Sequence, residues 1–274
     1  MGAAVIALGL PLTSSSPRES VRQGMMLRLA KASHHYAAHH NNGCMPRLRQ
    51  GVPPAGGRGR GRPLRAPQPA LPERVTVVVG ASIAEGYHTS SGECTAWPYL
   101  LRMRLQQEHV PGSIVNDSVN AARLLADSTG HLGTSALHRE GEALAVRGVR
   151  TIVLTDLIND IQQLPHIHDP DVIIEGLKVF VSRAHKRGVR VVAGTLSPYG
   201  GSLHYEPTGE QTRRAVNDFI RRSGLFDGVI DFDAAVADPA NPSRLRPAYD
   251  SGDHLHPNDA GQRAMTRAIP LEIL

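Results

Sequence analysis

The stretch VTVVVGASIAEG, residues 75–86, decides the fold. Residues 75–79 form an apolar, β-branched run, which is typical of a strand that is buried on both faces of a parallel sheet. The run leads directly into Gly80, Ala81 and Ser82, so the chain turns at the carboxyl end of this strand. Ligands of open parallel sheets bind at that end, and the polar residues that follow each strand are therefore the candidate functional residues.

Apolar runs and amphipathic helical stretches alternate from here to the end of the chain. Strands are predicted within residues 75–79, 113–119, 149–157, 189–196 and 228–232, and helices within residues 97–108, 135–146, 171–188, 209–224 and from 258 onward. Gly188 and Gly224 follow the basic ends of two helices, and Asn258 stands at the capping position of the last one. The pattern predicts an α/β domain, a three-layer α/β/α sandwich around a five-stranded parallel sheet.

Residues 1–72 differ in composition from the rest of the chain. They are rich in Ser, His, Gly, Arg and Pro, and they contain ten lysines or arginines against one acid. We expect most of this leader to be disordered, because it lacks the apolar periodicity of a packed core. The predicted organisation is a low-complexity, basic leader, residues 1–72, followed by one domain, residues 73–274.

The positive charge of the chain lies in this leader. The net charge is +5 and the pI about 9.5, yet residues 73–274 alone carry a net charge of −4. We therefore expect no specific nucleic-acid partner. Non-specific contact of the leader with nucleic acid or anionic lipid and metal binding by its HHYAAHH cluster stay open, but a solvated arm is the favoured interpretation.

Cysteines and apolar runs exclude two further classes of protein. The two cysteines, Cys44 and Cys94, are too few for a disulfide scaffold. No apolar run approaches the roughly 20 residues of a membrane-spanning helix, so no transmembrane segment is predicted. The run at residues 3–12 has the length of a signal-peptide core but lacks a preceding basic region and a clear cleavage site.

Polar side chains and one candidate backbone donor stand after three predicted strands and before the last helix. They are Ser82, Ala121 with its backbone N–H, Asn159, and the pair Asp253 and His256. A serine is a weak nucleophile unless a base takes its proton and an acid orients that base. The Asp-x-x-His spacing allows such an acid–base pair within one turn. The sequence GASIA around Ser82 lacks the last glycine of GxSxG, which disfavours an ordinary α/β-hydrolase.

With these motifs, residues 75–269 resemble the SGNH hydrolase family, also called GDSL esterases and lipases. Four blocks occur in the family's order: GAS with Ser82, VNDSVNAARLL with Ala121, LIND with Asn159, and DHLH with Asp253 and His256. The resemblance implies a flavodoxin-like sheet. Segments such as YDSGDHLHPNDAG also resemble secreted actinobacterial members, so we expect a secreted or cell-envelope protein, with a cytoplasmic protein as the alternative.

The resemblance implies a carboxylic ester hydrolase that needs no cofactor and no metal. Ser82 is then the nucleophile, His256 the base and Asp253 the orienting acid. The oxyanion hole consists of the backbone N–H groups of Ser82 and Ala121 and the side-chain amide of Asn159. We expect a monomer that acts on small or polar acyl esters, because the large apolar lid of a lipase is not apparent.

Three positions depart from the family pattern. Ala81 stands where the family has an aspartate that ties the nucleophile turn to neighbouring loops, so we expect a looser turn. Ala121 replaces a glycine but keeps its backbone donor. Leu157 replaces the glycine of GxND, where we expect a crowded oxyanion pocket or a strained turn. These departures motivate an alternative function, that of a catalytically impaired relative that binds carbohydrate or lipid.

Several neighbours of these motifs have a structural interpretation. Asp156 and Asp160 flank Asn159 and are expected to cap loops. His254 is expected to lie on the surface, and Trp97 to pack the first long helix against the core.

Overall fold

The structure is a computed structural model that describes residues 74–127 and 134–274. The leader, residues 1–72, lies outside the described residues together with Cys44 and the HHYAAHH cluster, so the expectations for it stay predictions. In the described ranges no helix has both the length and the apolar character needed to cross a bilayer.

Fifteen helices and strands make up the described chain, beside three short 3-10 turns. In order they are β1 (Val75–Val79), α1 (Ser82–Glu85), α2 (Trp97–Gln107), β2 (Ser113–Asn116), α3 (Ala136–Ala145), β3 (Val149–Leu154), α4 (Asn159–Gln162), α5 (Pro170–Lys186), β4 (Arg190–Gly194), α6 (Pro207–Arg222), β5 (Gly228–Ile230), α7 (Phe232–Val236), β6 (Ala237–Asp238), β7 (Asn241–Leu245) and α8 (Asp259–Arg267).

Strands β1 to β5 form one parallel sheet in the order β2-β1-β3-β4-β5. All five predicted strands and all five predicted helices are present, so the α/β sandwich is confirmed. The order is that of the flavodoxin-like folds. It places β3 beside β1 with Leu154 opposite Val79, so the segments that follow these two strands meet at the same end of the sheet.

The alternating residues of β1 enter two hydrophobic cores. Val77 and Val79 pack with side chains of α3, α5 and α6, whereas Val78 packs with α2, α7 and α8. All three valines are fully buried, and so is Trp97 at the start of α2, as expected. Helices therefore cover both faces of the sheet, as an unbroken apolar strand predicts.

Helix ends follow the capping signals in the sequence. Asn258 Oδ1 accepts hydrogen bonds from the N–H groups of Ala260 and Gly261 at the start of α8. Gly188 and Gly224, just beyond the ends of α5 and α6, adopt φ values of +70° and +65°. These three predictions are confirmed, and they fix where α8 begins, directly after the Asp253–His256 loop.

The hairpin β6–β7 was not predicted. It is a short antiparallel pair whose second strand contains Pro242, and it carries no alternating apolar pattern that could reveal it. The Gly200 N–H donates to Ser243 O of this hairpin at 2.6 Å, which ties it to the loop after β4.

Candidate active site

Ser82 lies at the carboxyl end of β1, where the chain turns into the short helix α1. A Cβ at Gly80 would lie 3.0 Å from Ser118 Oγ and 3.1 Å from Thr155 Cγ2, so glycine lets the chain pass between the loops after β2 and β3. Gly86, with a φ of +82°, closes α1 in the left-handed conformation. The side chain of Ser82 is thereby held in a tight turn with the residue only 7% exposed.

The side chains of Ser82, His256 and Asp253 form a continuous line of hydrogen bonds. His256 Nε2 lies 2.9 Å from Ser82 Oγ, and His256 Nδ1 lies 2.5 Å from Asp253 Oδ2. A carboxylate only accepts, so Nδ1 carries the proton in this pair and Nε2 accepts from the serine hydroxyl. The three residues that the sequence predicts as nucleophile, base and acid are therefore brought together in that order.

The second oxygen of Asp253 is fully used within its own loop. Oδ1 accepts from the Leu255 and His256 N–H groups at 3.0 and 2.9 Å and from Ser251 Oγ at 3.0 Å. Burial alone would raise the pKa of Asp253, but the hydrogen bond and charge of His256, with the two backbone donors, outweigh it and hold the pKa well below its usual value. Asp253 is therefore ionised at neutral pH and fixes both the tautomer and the orientation of His256.

Two aromatic side chains from the loop after α1 pack against His256. The His88 ring is parallel to the His256 ring within 5°, with centroids 5.4 Å apart, and the Tyr87 centroid lies 4.8 Å away. Burial lowers the pKa of His88 and raises that of Tyr87, so both are neutral near pH 7. Sequence reasoning missed both residues, because nothing in GYHTS marks a contact with a histidine far along the chain.

Helix α8 holds the turn at residues 80–86, here called the nucleophile turn, and the loop after it. Asp259 accepts from the Ser90 N–H at 2.9 Å and from Ser90 Oγ at 2.6 Å. Gln262 Nε2 donates to Ile83 O at 3.0 Å, and Gln262 Oε1 accepts from the Trp97 N–H at 2.9 Å. The segment that carries His256 is thus attached directly to the segment that carries Ser82.

Asp156 caps the nucleophile turn from the neighbouring strand. Its Oδ2 accepts hydrogen bonds from the N–H groups of Ile83 at 2.8 Å and Ala81 at 3.1 Å. Asp156 adopts a φ of +61°, and burial raises the pKa of its carboxyl to about 6 against the effect of these hydrogen bonds and of His256. The loop-capping role predicted for Asp156 is confirmed, and the loop that it caps is the one that carries Ser82.

Two expectations about the departures from the family pattern were wrong. The turn at Ala81 is not loose, because Asp156 binds the N–H groups on both sides of Ser82. Leu157 does not strain its turn: the positive φ falls on Asp156, and Leu157 is buried within the hydrophobic core. The strained conformation thus belongs to the preceding residue, whereas the expected crowding of the oxyanion pocket by Leu157 stays a prediction.

The two remaining candidates, Ala121 and Asn159, lie in adjacent, cross-linked loops. Ala121 has a φ of +60°, the conformation that a glycine would adopt readily. Asn159 is buried, and its Nδ2 donates to Ala122 O at 2.9 Å while its Oδ1 accepts from Gln162 Nε2 at 2.7 Å. An amide nitrogen carries two hydrogens, so one N–H of Asn159 is left for a further acceptor.

Asp160 joins the same two loops. Its carboxylate accepts from the N–H groups of Leu124 at 2.5 Å and Leu125 at 3.2 Å, which confirms its predicted capping role. The guanidinium of Arg123 donates to Pro165 O at 2.8 Å, on the far side of α4. The loop after β2 is thereby fixed against the loop after β3.

The acid–base loop contains a second, exposed pair. His254 Nδ1 lies 2.5 Å from Asp250 Oδ2, and His254 is exposed, as expected. One atom each of His88, Asp253 and His256 lie within 4.8 Å of one another, the only group of three potential metal ligands in residues 74–127 and 134–274. Asp253 and His256 of this group are hydrogen-bonded to each other through His256 Nδ1 and Asp253 Oδ2.

Comparisons of sequence relate this chain to a known family. The sequence pattern of the GDSL-like lipase/acylhydrolase family matches residues 78–264, which include all five candidate residues. A search of curated protein sequences finds no significant match.

Solved structures share the fold at low sequence identity. A lipase/acylhydrolase from Enterococcus faecalis superposes with a TM-score of 0.57 at 18% identity, covering 73% of this chain and 95% of that one. An acetyl xylan esterase from Geobacillus stearothermophilus gives 0.54 at 18% identity, covering 74% and 95%. The esterase EstA from a Pseudoalteromonas species gives 0.52 at 15% identity, covering 71% and 93%.

Proposed function

Because the chain belongs to the GDSL-like lipase/acylhydrolase family, a family of ester-hydrolysing enzymes, we propose that it hydrolyses carboxylic esters through a Ser82–His256–Asp253 triad. The observation that carries this proposal is the line of hydrogen bonds from Ser82 Oγ through His256 to Asp253, at 2.9 and 2.5 Å. It supplies a nucleophile, a base within reach of its proton, and an anion that orients the base.

In the first half of the reaction, Ser82 Oγ attacks the ester carbonyl carbon and its proton moves to His256 Nε2. The negative charge of Asp253 stabilises the resulting imidazolium. When the tetrahedral intermediate collapses, the bond between the carbonyl carbon and the alcohol oxygen breaks, and the alcohol leaves with the proton from Nε2. Ser82 then carries the acyl group.

In the second half, a water molecule takes the place of the alcohol. The oxygen of the water attacks the acyl carbon while His256 Nε2 accepts a proton from the water. The bond to Ser82 Oγ then breaks, the proton returns to that oxygen, and the carboxylic acid is released.

The charge that forms on the carbonyl oxygen needs donors that are already in place. Asp156 binds the N–H groups of Ala81 and Ile83, whereas the Ser82 N–H between them donates to no acceptor in the described ranges. This N–H, the N–H of Ala121 and the second N–H of the Asn159 amide are the proposed oxyanion hole. Each such donor lowers the barrier by roughly 3 kcal/mol.

We propose small or polar acyl esters as the substrates. Only four large hydrophobic side chains are exposed in the described part of the chain: Met103, Leu164, Val172 and Leu203. This small number supports substrates without a long acyl chain, since a long chain would need a continuous apolar surface. The acetyl xylan esterase among the structural neighbours agrees with a short acyl group.

A fluorophosphonate probe and p-nitrophenyl esters test this function. We expect the wild-type protein to gain one covalent adduct on Ser82 and to turn over the acetate ester faster than the decanoate ester. Ser82→Ala should lose both labelling and turnover. Ser118→Ala is the matched control, because Ser118 is equally buried but its hydroxyl has no hydrogen-bond partner in the described ranges.

A folded wild-type protein that is neither labelled nor active would overturn the proposal and favour the impaired, ligand-binding relative. Labelling with faster turnover of the decanoate would leave the triad in place and overturn the substrate class alone.

A further inference from the structure

The nucleophile turn lacks a local cap. Ala81 is the N-cap residue of α1, and its methyl side chain cannot accept a hydrogen bond. The N–H groups in the first turn of a helix have no partner inside the helix and need an acceptor from outside. In this chain the acceptor is Asp156, 73 residues from Ile83 and 75 from Ala81.

The pairing of β1 with β3 explains why Asp156 reaches this place. Leu154 pairs with Val79, and the Thr155 N–H donates to Val79 O at 3.0 Å. Two residues beyond each strand, Asp156 therefore stands beside Ala81. Its left-handed φ of +61° turns the chain at this point, directly after the strand.

This arrangement is unfavourable for folding. A non-glycine residue with positive φ is strained, and a buried carboxylate loses its hydration. Asp156 Oδ1 is buried without a hydrogen-bond partner among the described residues, so the carboxylate is only half satisfied. Strain of this kind is concentrated at functional sites, where the surrounding structure maintains it.

The geometry gives the carboxylate a specific effect on Ser82. Asp156 holds the N–H groups of the residues immediately before and after Ser82, which fixes the orientation of the peptide unit between them. That unit carries the Ser82 N–H, the proposed oxyanion donor. A fixed donor needs no reorganisation when charge forms on the carbonyl oxygen.

We propose that Asp156 is a positioning residue for catalysis: its carboxylate fixes the Ser82 hydroxyl and the Ser82 N–H relative to His256 and the oxyanion. This inference rests on the proposed ester hydrolysis. Asp156 acts through the backbone of the turn and does not touch the substrate.

Removal and relocation of the carboxylate test this role. Asp156→Ala should lower kcat for p-nitrophenyl acetate about 100-fold, the cost of a misplaced catalytic group, with little change in KM. Asp156→Asn keeps one acceptor oxygen, so its kcat should fall less. The rate of fluorophosphonate labelling should fall in parallel with kcat.

Ala81→Asp in the Asp156→Ala background should restore most of the lost kcat. An aspartate at the N-cap position accepts from the N–H groups of the second and third helix residues, here Ile83 and Ala84, and so caps the same turn locally. A general loss of folding stability would not be reversed by this relocation. Glu140→Gln, at a buried carboxylate on α3 that pairs with Arg183, is the control that should keep kcat while changing the melting temperature.

Unchanged kcat in folded Asp156→Ala would overturn the inference. So would a folded double variant that is no faster than Asp156→Ala. Either result, obtained with an active wild-type enzyme, leaves the proposed function standing, whereas an inactive and unlabelled wild-type protein contradicts the proposed function itself.

Discussion

The Asp253–His256 loop and the nucleophile turn stabilise their functional groups over different distances along the chain. In the loop, Asp253 accepts from Leu255 and His256, two and three residues away. In the turn, the N–H groups on either side of Ser82 find their acceptor more than 70 residues away, in Asp156. Asp253 and His256, the proposed acid and base, therefore form a local unit, whereas the position of Ser82, the proposed nucleophile, depends on the pairing of β1 with β3.

The largest expected effect breaks the local unit. Asp253→Asn should lower kcat about 10⁴-fold, because an amide no longer selects the His256 tautomer that accepts the serine proton. The measurement is kcat for p-nitrophenyl acetate, with the melting temperature as a check on folding.

The second pair of the same loop provides a control. Asp250 and His254 are also hydrogen-bonded, but His254 is exposed and does not contact Ser82. We expect His254→Ala to change kcat by no more than about twofold, as for an ordinary surface substitution. An equal loss of kcat in Asp253→Asn and His254→Ala would mean that activity depends on the conformation of the loop and not on the charge of Asp253.

The next effect concerns the oxyanion side of the nucleophile turn. Asn159→Ala should lower kcat about 10²- to 10³-fold, with KM nearly constant, because the amide acts when charge forms in the transition state. Asn217 is a matched buried asparagine, whose amide binds the N–H and the carbonyl of Leu196. Asn217→Ala should lower stability but keep kcat, and a loss confined to stability in Asn159→Ala would refute the proposed role.

The dependence of stability on pH should distinguish the two regions. The pKa of Asp156 is about 6 in the folded protein and 3.8 ordinarily, so between these values the folded protein retains a proton that the unfolded chain has released. Stability from this group therefore falls as the pH rises through that window. Relative to wild type, Asp156→Asn should gain roughly 2 kcal/mol in the free energy of unfolding from pH 4 to pH 8.

Urea unfolding at several pH values measures this difference. Asp231→Asn serves as the control, because hydrogen bonds from Arg221 and other donors outweigh burial and lower the pKa of Asp231. The stability that Asp231 contributes is lost only below its ordinary pKa, so its variant should show little change above pH 4. An Asp156→Asn difference that is independent of pH would show that Asp156 does not titrate in this window.

The smallest effect concerns Ala121, the proposed oxyanion donor with a positive φ. Ala121→Gly should raise the free energy of unfolding by up to about 1 kcal/mol, because the relief of a left-handed alanine exceeds the added backbone entropy of glycine. Ala122→Gly, one residue later and without positive φ, should instead lower it by a similar amount. Thermal unfolding measures both, and a fall in both variants would count against strain at Ala121.

The contrast also explains what could be predicted from the sequence. The strand at residues 75–79 and the Asp-x-x-His unit are local patterns, so the sheet and the acid–base loop followed from residue spacing. The contact between Asp156 and the turn depends on the register of two strands, and register does not follow from either segment alone. His88 and Tyr87 reach His256 through the loop held by α8, again a long-range contact without a sequence signal.

The attachment of α8 to the nucleophile turn has a consequence during synthesis. Ser82 and His256 are 174 residues apart, and Gln262 and Asp259 bind the turn and the loop after it only once α8 exists. A ribosome-bound chain that has emerged no further than β7 has Ser82 and the whole sheet. It lacks His256 and the contacts that Gln262 and Asp259 make with the turn and the loop after it. Covalent labelling of Ser82 would therefore report completion of the domain, and a fluorophosphonate could serve as a sensor of its last folding step.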